Sequence, residues 1–190
     1  MIIMARIGTV QIEKASGGTK ALLEMVKTKM GVVTNMIKTL ANSGASLNAY
    51  LGFIAALNGG SLSTRLTEQI SLAVAWENGS DYCNAVHTYI ARKIGLNAQE
   101  IEESRQGDGE EKMRAALTFA KEIISTKGHV SVEALNKIRN AGYDEGEIIE
   151  IASRVSLNIF TNYINMLAET DIDFPRQKPL GFFTPAGDDI

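Results

Sequence analysis

Residues 63–94, STRLTEQISLAVAWENGSDYCNAVHTYIARKI, decide the fold. Two stretches with helical patterning, 63–77 and 80–94, are separated only by Asn78-Gly79. So short a break folds the second helix back along the first as an antiparallel hairpin. Ser80 is a good N-cap for the second helix, and Gly95 ends it. Working outward, the same punctuation predicts further helices from Thr19 to Met30, near Asn35–Ala41, and from Ala45 to Leu57, where Leu47, Leu51 and Ile54 recur at helical spacing. Downstream, a short acidic helix follows Asn97, then Glu110–Thr126, Ser131–Asn140 and a long helix over Asp144–Glu169. Ser131 caps its helix with an imperfect box, because Ala134 sits where a Glu is wanted. The long helix carries Ile148, Ile151, Val155, Ile159 and Tyr163 on one stripe.

All three prolines, Pro175, Pro179 and Pro185, follow Asp173, and nothing alternates with period two for long. The fold expected is therefore all-α, with about eight helices in a single domain over 19–173 and a central hairpin. Residues 1–18 read as a short extended N-terminal arm, and 174–190 as an extended tail whose Phe174, Phe182 and Phe183 pack on something.

Composition narrows the function. The chain has 190 residues, 45% hydrophobic and 22% charged, as is ordinary for a globular domain. A net charge of −3 and scattered Lys and Arg give no field to collect nucleic acid or a membrane surface. One cysteine forbids an intrachain disulfide, so a disulfide-stapled scaffold is excluded and a reducing, cytoplasmic setting is expected. No apolar run is long enough to span a bilayer, and the start, MIIMARIG, is too short and interrupted for a signal peptide.

Chemistry concentrates on the hairpin. The single cysteine, Cys83, and one of two histidines, His87, are four residues apart and share a helix face. Cys83 follows the cap Ser80 by three residues, where unpaired N–H groups and the helix dipole favour a thiolate. On a rise of about 1.5 Å per residue, Glu68 lies roughly 15 Å from the turn, His87 about 12 Å and Cys83 about 6 Å. The order Glu68–His87–Cys83 is that of a carboxylate orienting an imidazole that serves a thiol. Taken alone, Cys83 is as readily a small core side chain and Glu68 a solvated charge, and Glu77 competes near the turn. His129 reads as structural. No metal set, phosphate loop, GxGxxG or GxSxG motif is present, so no metal or cofactor is expected.

The run from Glu68 to His87 resembles the core motif of the carboxymuconolactone decarboxylase / alkylhydroperoxidase D superfamily: a Glu, then CxxC, then a His four residues after the second Cys. Further likeness lies in Asn48-Ala-Tyr50, Gly128-His-Val-Ser, Ala141-Gly-Tyr-Asp-Glu-Gly-Glu-Ile and Phe160-Thr-Asn-Tyr-Ile-Asn, over roughly 33–175. The resemblance implies an all-helical fold assembling into homo-oligomers, trimers or hexamers. It also implies a thiol-dependent peroxidase of antioxidant role, acting on a hydroperoxide. Cys83 would be peroxidatic, His87 the base or proton relay and Glu68 its orienting carboxylate. Tyr82 takes a place where some members have His. Ser80 stands where the family has its first, resolving Cys, so an external thiol reductant is implied. Decarboxylase or hydrolase members of the superfamily are the alternative; they use other residues, and no convincing arginine and histidine set is visible. A third reading is a non-catalytic helical oligomer whose cysteine senses oxidants.

Overall fold

The computed structural model describes residues 5–175; Ile2, Ile3, Pro179, Phe182, Phe183 and Pro185 lie outside them. The described residues form nine α-helices and no strand. They are α1 (Gly17–Met30), α2 (Asn35–Leu40), α3 (Gly44–Leu57), α4 (Thr64–Glu77), α5 (Asp81–Lys93), α6 (Ala98–Gln106), α7 (Glu111–Ser125), α8 (Val132–Asn140) and α9 (Glu145–Ala168). The all-α architecture is as expected, and no described helix is long and apolar enough to cross a membrane.

Caps explain most boundaries. Asn97 and Glu100 close a complete capping box on α6, as do Asp144 and Glu147 on α9. At α8 the box is completed from outside. Ser131 Oγ accepts from Ala134 N–H at 3.1 Å, while the Ser131 N–H donates to Glu122 Oε1 of α7 at 3.2 Å. Glu122 thus fills the place that Ala134 leaves empty, and ties α7 to α8.

Two expectations need correction. Helix α1 starts at Gly17, two residues before Thr19, and the arm contains a 3₁₀ turn at Ile12–Lys14 instead of being extended throughout. The arm also lies on the chain's own body. Arg6 N–H donates to Ala168 C=O at 2.8 Å and Val10 N–H to Lys38 C=O at 3.0 Å. The second correction concerns α9. Ile148, Ile151 and Val155 are buried, but Tyr163 is 58% exposed. Each i,i+4 step overshoots a full turn by about 40°, so a stripe of such steps rotates out of the core. Burial passes instead to Leu157, Asn158, Thr161, Asn162 and Asn165.

Two large apolar cores result, with smaller clusters around Leu72 and Ala91 and around Ala75, Tyr82 and Cys83. One joins α4, α7, α8 and α9 around Ile70, Leu117, Ile138 and Ile151. The other joins α1, α2 and α3 around Leu23, Ile37 and Leu47, with Phe160 and Ile164 of α9 against it. Helix α4 is the hub, packing on α5, α6, α7 and α9. Between the cores lies a cavity of about 580 Å³, lined from α2, α3, α4, α5 and α9. Ile151 is fully buried where α9 meets the first core. Ile151→Ala should lower unfolding stability by about 2–5 kcal/mol in urea denaturation. Asp144→Ala should cost about 1 kcal/mol through loss of the cap.

Candidate active site

The α4–α5 hairpin turns as its sequence implies. Gly79 takes a left-handed φ of 67°, which only a residue without Cβ adopts at no cost, and Ser80 N–H donates to Ala75 C=O at 2.9 Å. This turn aligns the axial levels of the two helices. Glu68 Oε2 meets His87 Nδ1 at 2.8 Å, with both side chains largely buried, at 16% and 17% exposed. An ionised Glu68 accepts the Nδ1 proton and leaves Nε2 as the free acceptor of the ring. Glu77, the competing carboxylate, is exposed and pairs with Lys121 at 3.5 Å. His129 is exposed and far along the chain from the hairpin.

Cys83 is the third residue of α5 and is 2% exposed. It lines the same cavity as Glu68 and His87. No direct hydrogen bond joins the thiol to the imidazole; Asn165 Nδ2 donates to Sγ at 3.3 Å. The expected depression of its pKa is not what the fold produces. Burial pushes the thiol up, and Ser80, Asn165 and Thr161 pull only partly against it. The helix N-terminus offers its donors, but loss of water outweighs them.

Ser80 is completely buried and sits at the N-cap position, yet its side chain makes no cap hydrogen bond, contrary to its expected role. Its hydroxyl is close enough to Cys83 to favour the thiolate but meets no partner in full hydrogen-bond geometry. Tyr82, also buried, is turned toward the chain end. Its hydroxyl donates to Asp173 Oδ1 at 2.8 Å and accepts from Met36 N–H at 3.2 Å. Phe174 packs edge-on against Tyr82, ring centroids 6.2 Å apart, and helps line the cavity, as expected of that aromatic.

Three contributors escaped the sequence reading. Tyr50 of α3 lines the cavity, and its phenol is pushed up by burial and then by Cys83 and Glu68. Asn165 touches the thiol. Arg154 of α9, 7% exposed, shares the cavity with Glu68 and His87. The fold therefore places an arginine in the same cavity as His87, which the sequence did not reveal. The available signal was the run of polar residues (Arg154, Asn158, Asn162, Asn165) on a helix whose apolar stripe had already rotated away. Among the described residues no cluster of three His, Cys, Asp or Glu could hold a metal ion.

With this geometry in view, comparison places the chain. Residues 42–122 match the model of the carboxymuconolactone decarboxylase family, over α3 to most of α7. This stretch, less than half of the chain, is similar to that family. The chain's fold is similar to that of an alkylhydroperoxidase AhpD core, a peroxidase-related protein from Ralstonia eutropha JMP134. That match has a TM-score of 0.78 and 19% identity, covering 95% of this chain and 96% of the other. A peroxidase-related protein from Silicibacter sp. TM1040 gives a TM-score of 0.77 and 20% identity, covering 95% and 98%. A cysteine-to-alanine variant of the debrominase Bmp8, in complex with 2,3,4-tribromopyrrole, gives a TM-score of 0.76 and 20% identity, covering 90% and 93%. No curated protein sequence matches the chain.

Because burial disfavours the thiolate, alkylation of Cys83 should accelerate as pH rises, with a midpoint above the roughly 8.5 of a free cysteine. Iodoacetamide labelling followed by mass spectrometry measures this. A midpoint at or below the free value would contradict the site geometry.

Proposed function

We propose that the chain is a thiol-dependent hydroperoxide reductase in which Cys83 is the nucleophile, His87 its base and Glu68 the group that holds the imidazole. The observation that carries this reading is the 2.8 Å contact between Glu68 and His87 on the wall of the cavity that holds the chain's one cysteine. A thiol held protonated by burial needs a base at the moment of reaction, and a carboxylate-oriented imidazole is one.

Cys83 Sγ attacks the terminal oxygen of R–O–O–H. The S–O bond forms as the O–O bond breaks, oxidising sulfur by two electrons and reducing the peroxide by two. The thiol proton passes through a water to His87 Nε2 and returns to the departing alkoxide, giving ROH and a Cys83 sulfenic acid. Ser80 cannot resolve it. An external thiol attacks the sulfenic sulfur and expels water, and a second thiol frees Cys83 from the mixed disulfide.

The assembly accompanying this function is homo-oligomeric, a trimer or hexamer. Support comes from Ile149, Tyr163 and Leu167, which lie 58% to 66% exposed along α9 at whole-turn spacings. Light scattering at micromolar concentration should give a mass above that of one chain; a monomer would overturn this.

Peroxide consumption coupled to a small-molecule thiol tests the activity. Cys83→Ala should abolish it, and His87→Ala should lower it by roughly 10²–10⁴-fold. Ser80→Cys should form a disulfide with Cys83 on peroxide treatment, seen as loss of both free thiols, and should permit turnover with a dithiol reductant. An unchanged rate in Cys83→Ala would sink the thiol reading and favour the decarboxylase or hydrolase chemistry of the superfamily.

A further inference from the structure

Arg154 is a buried cation with too few partners. It is 7% exposed, and its side chain's one hydrogen bond among the described residues runs from Nη2 to Asn58 Oδ1 at 3.3 Å. Arg105 shows what satisfaction looks like: its three nitrogens reach Asn84, Thr88 and Glu102 at 3.0, 2.7 and 3.1 Å. The carboxylates near Arg154 are engaged elsewhere. Glu68 holds His87. Glu150, one turn earlier on α9, accepts from the Ser61 N–H and hydroxyl and from the Leu62 N–H, all within 3.1 Å. Gly60 makes that last arrangement possible, since a Cβ there would sit 2.5 Å from a Glu150 oxygen. A guanidinium largely withdrawn from water, which Glu68 and Glu150 offset only from a distance and without contact, is costly, and its fork of donors matches a carboxylate in bidentate fashion. Arg154 lines the cavity, and its other side-chain donors have no hydrogen-bond partner among the described residues.

The rest of that cavity has a different character. Around Arg154, Asn58 and Tyr50 the walls turn apolar, through Leu51, Ile54 and Leu157. At about 580 Å³ it is far larger than hydrogen peroxide needs, and it falls in the range that encloses a whole organic ligand. With the Glu68 carboxylate held by His87, a cation at the wall of a largely apolar chamber selects a molecule with one negative charge and an apolar body.

We propose that Arg154, with Tyr50 and Asn58 beside it, is the head-group subsite of this cavity, and that the ligand is an apolar monocarboxylate whose carboxylate seats on the guanidinium. Resting on the thiol-peroxidase reading above, the substrate is then a hydroperoxide carried on an acyl chain. The carboxylate at Arg154 fixes which carbon's peroxide reaches Cys83.

Binding tests this without turnover. Decanoate and decanol, equal in chain length, are titrated calorimetrically into the full chain, into Arg154→Met and into Arg154→Lys, with circular dichroism confirming the fold of each. The wild type should bind decanoate at least tenfold more tightly than decanol. Arg154→Met should weaken decanoate by roughly 10–100-fold, as for loss of a charged hydrogen-bonded pair, and leave decanol unchanged. Arg154→Lys should retain part of the preference. Equal affinity for the two probes in the wild type, absence of binding by both, or equal weakening of both in Arg154→Met would each overturn the subsite. If Arg154→Met does not fold, the wild-type comparison and Arg154→Lys decide. Selective decanoate binding by a chain that consumes no peroxide would leave the subsite standing and remove the peroxidase reading instead.

Discussion

Helix α4 has no solvent-facing residue between Gln69 and Ala75. It is surrounded by α5, α6, α7 and α9, so its rotation and axial position are set by packing on every side. Glu68 stands at the edge of this buried stretch, where the wrapped part of the helix meets the cavity. A carboxylate on a long side chain would ordinarily turn to water. Here the helix cannot rotate to let it, and His87 on the neighbouring helix gives it a partner. The Glu68–His87 contact thus depends on a packing constraint formed by Ile70, Leu72 and Val74, none of which lines the cavity. The same constraint explains why the cavity persists: α4 belongs to the first core, α2 and α3 to the second, and the space between them has no helix to fill it.

Much of this was legible in the chain. Helix ends marked by Gly, Asn, Ser and Asp fell within two residues of those observed, because caps and left-handed turns act over a few residues. The Glu68–His87 contact was also legible. Both residues belong to one hairpin, and a tight turn converts sequence separation into axial distance. What escaped was set by long-range packing. Arg154 and Asn165 approach the hairpin only because α9 crosses it, and the angle of that crossing has no local signature. The sign of the shift at Cys83 escaped for the same reason. The helix dipole can be read from three neighbouring residues, whereas burial depends on Asn165, Thr161 and the segment around Phe174, more than 75 positions away.

The site also contains polar atoms in positions that an apolar core would not tolerate. Ser80 Oγ, Asn165 Oδ1 and both side-chain polar atoms of Asn162 are buried without protein partners. Two of these residues act directly on the thiol. Buried groups of this kind are ordinarily satisfied by water, and water beside Cys83 is what a proton route to His87 requires. The arrangement costs stability in the resting protein.

The segment after α9 has a consequence of a different kind. Asp173 accepts from the Tyr82 hydroxyl at 2.8 Å and from the Asn35 N–H at 2.7 Å, and the Asn35 side chain donates to Asp171 C=O at 3.0 Å. These contacts buckle the end of the helical body onto the start of α2 and seat Phe174 as one wall of the chamber. This wall belongs to the small cluster of Ala75, Tyr82 and Cys83, and to neither large core. Drift in the length or composition of the segment would therefore leave the two large cores intact while changing the shape of the chamber. Among diverging copies of such a chain, the shape of the chamber would change from the C-terminal end inward, while the Glu68–His87 hairpin stayed as it is.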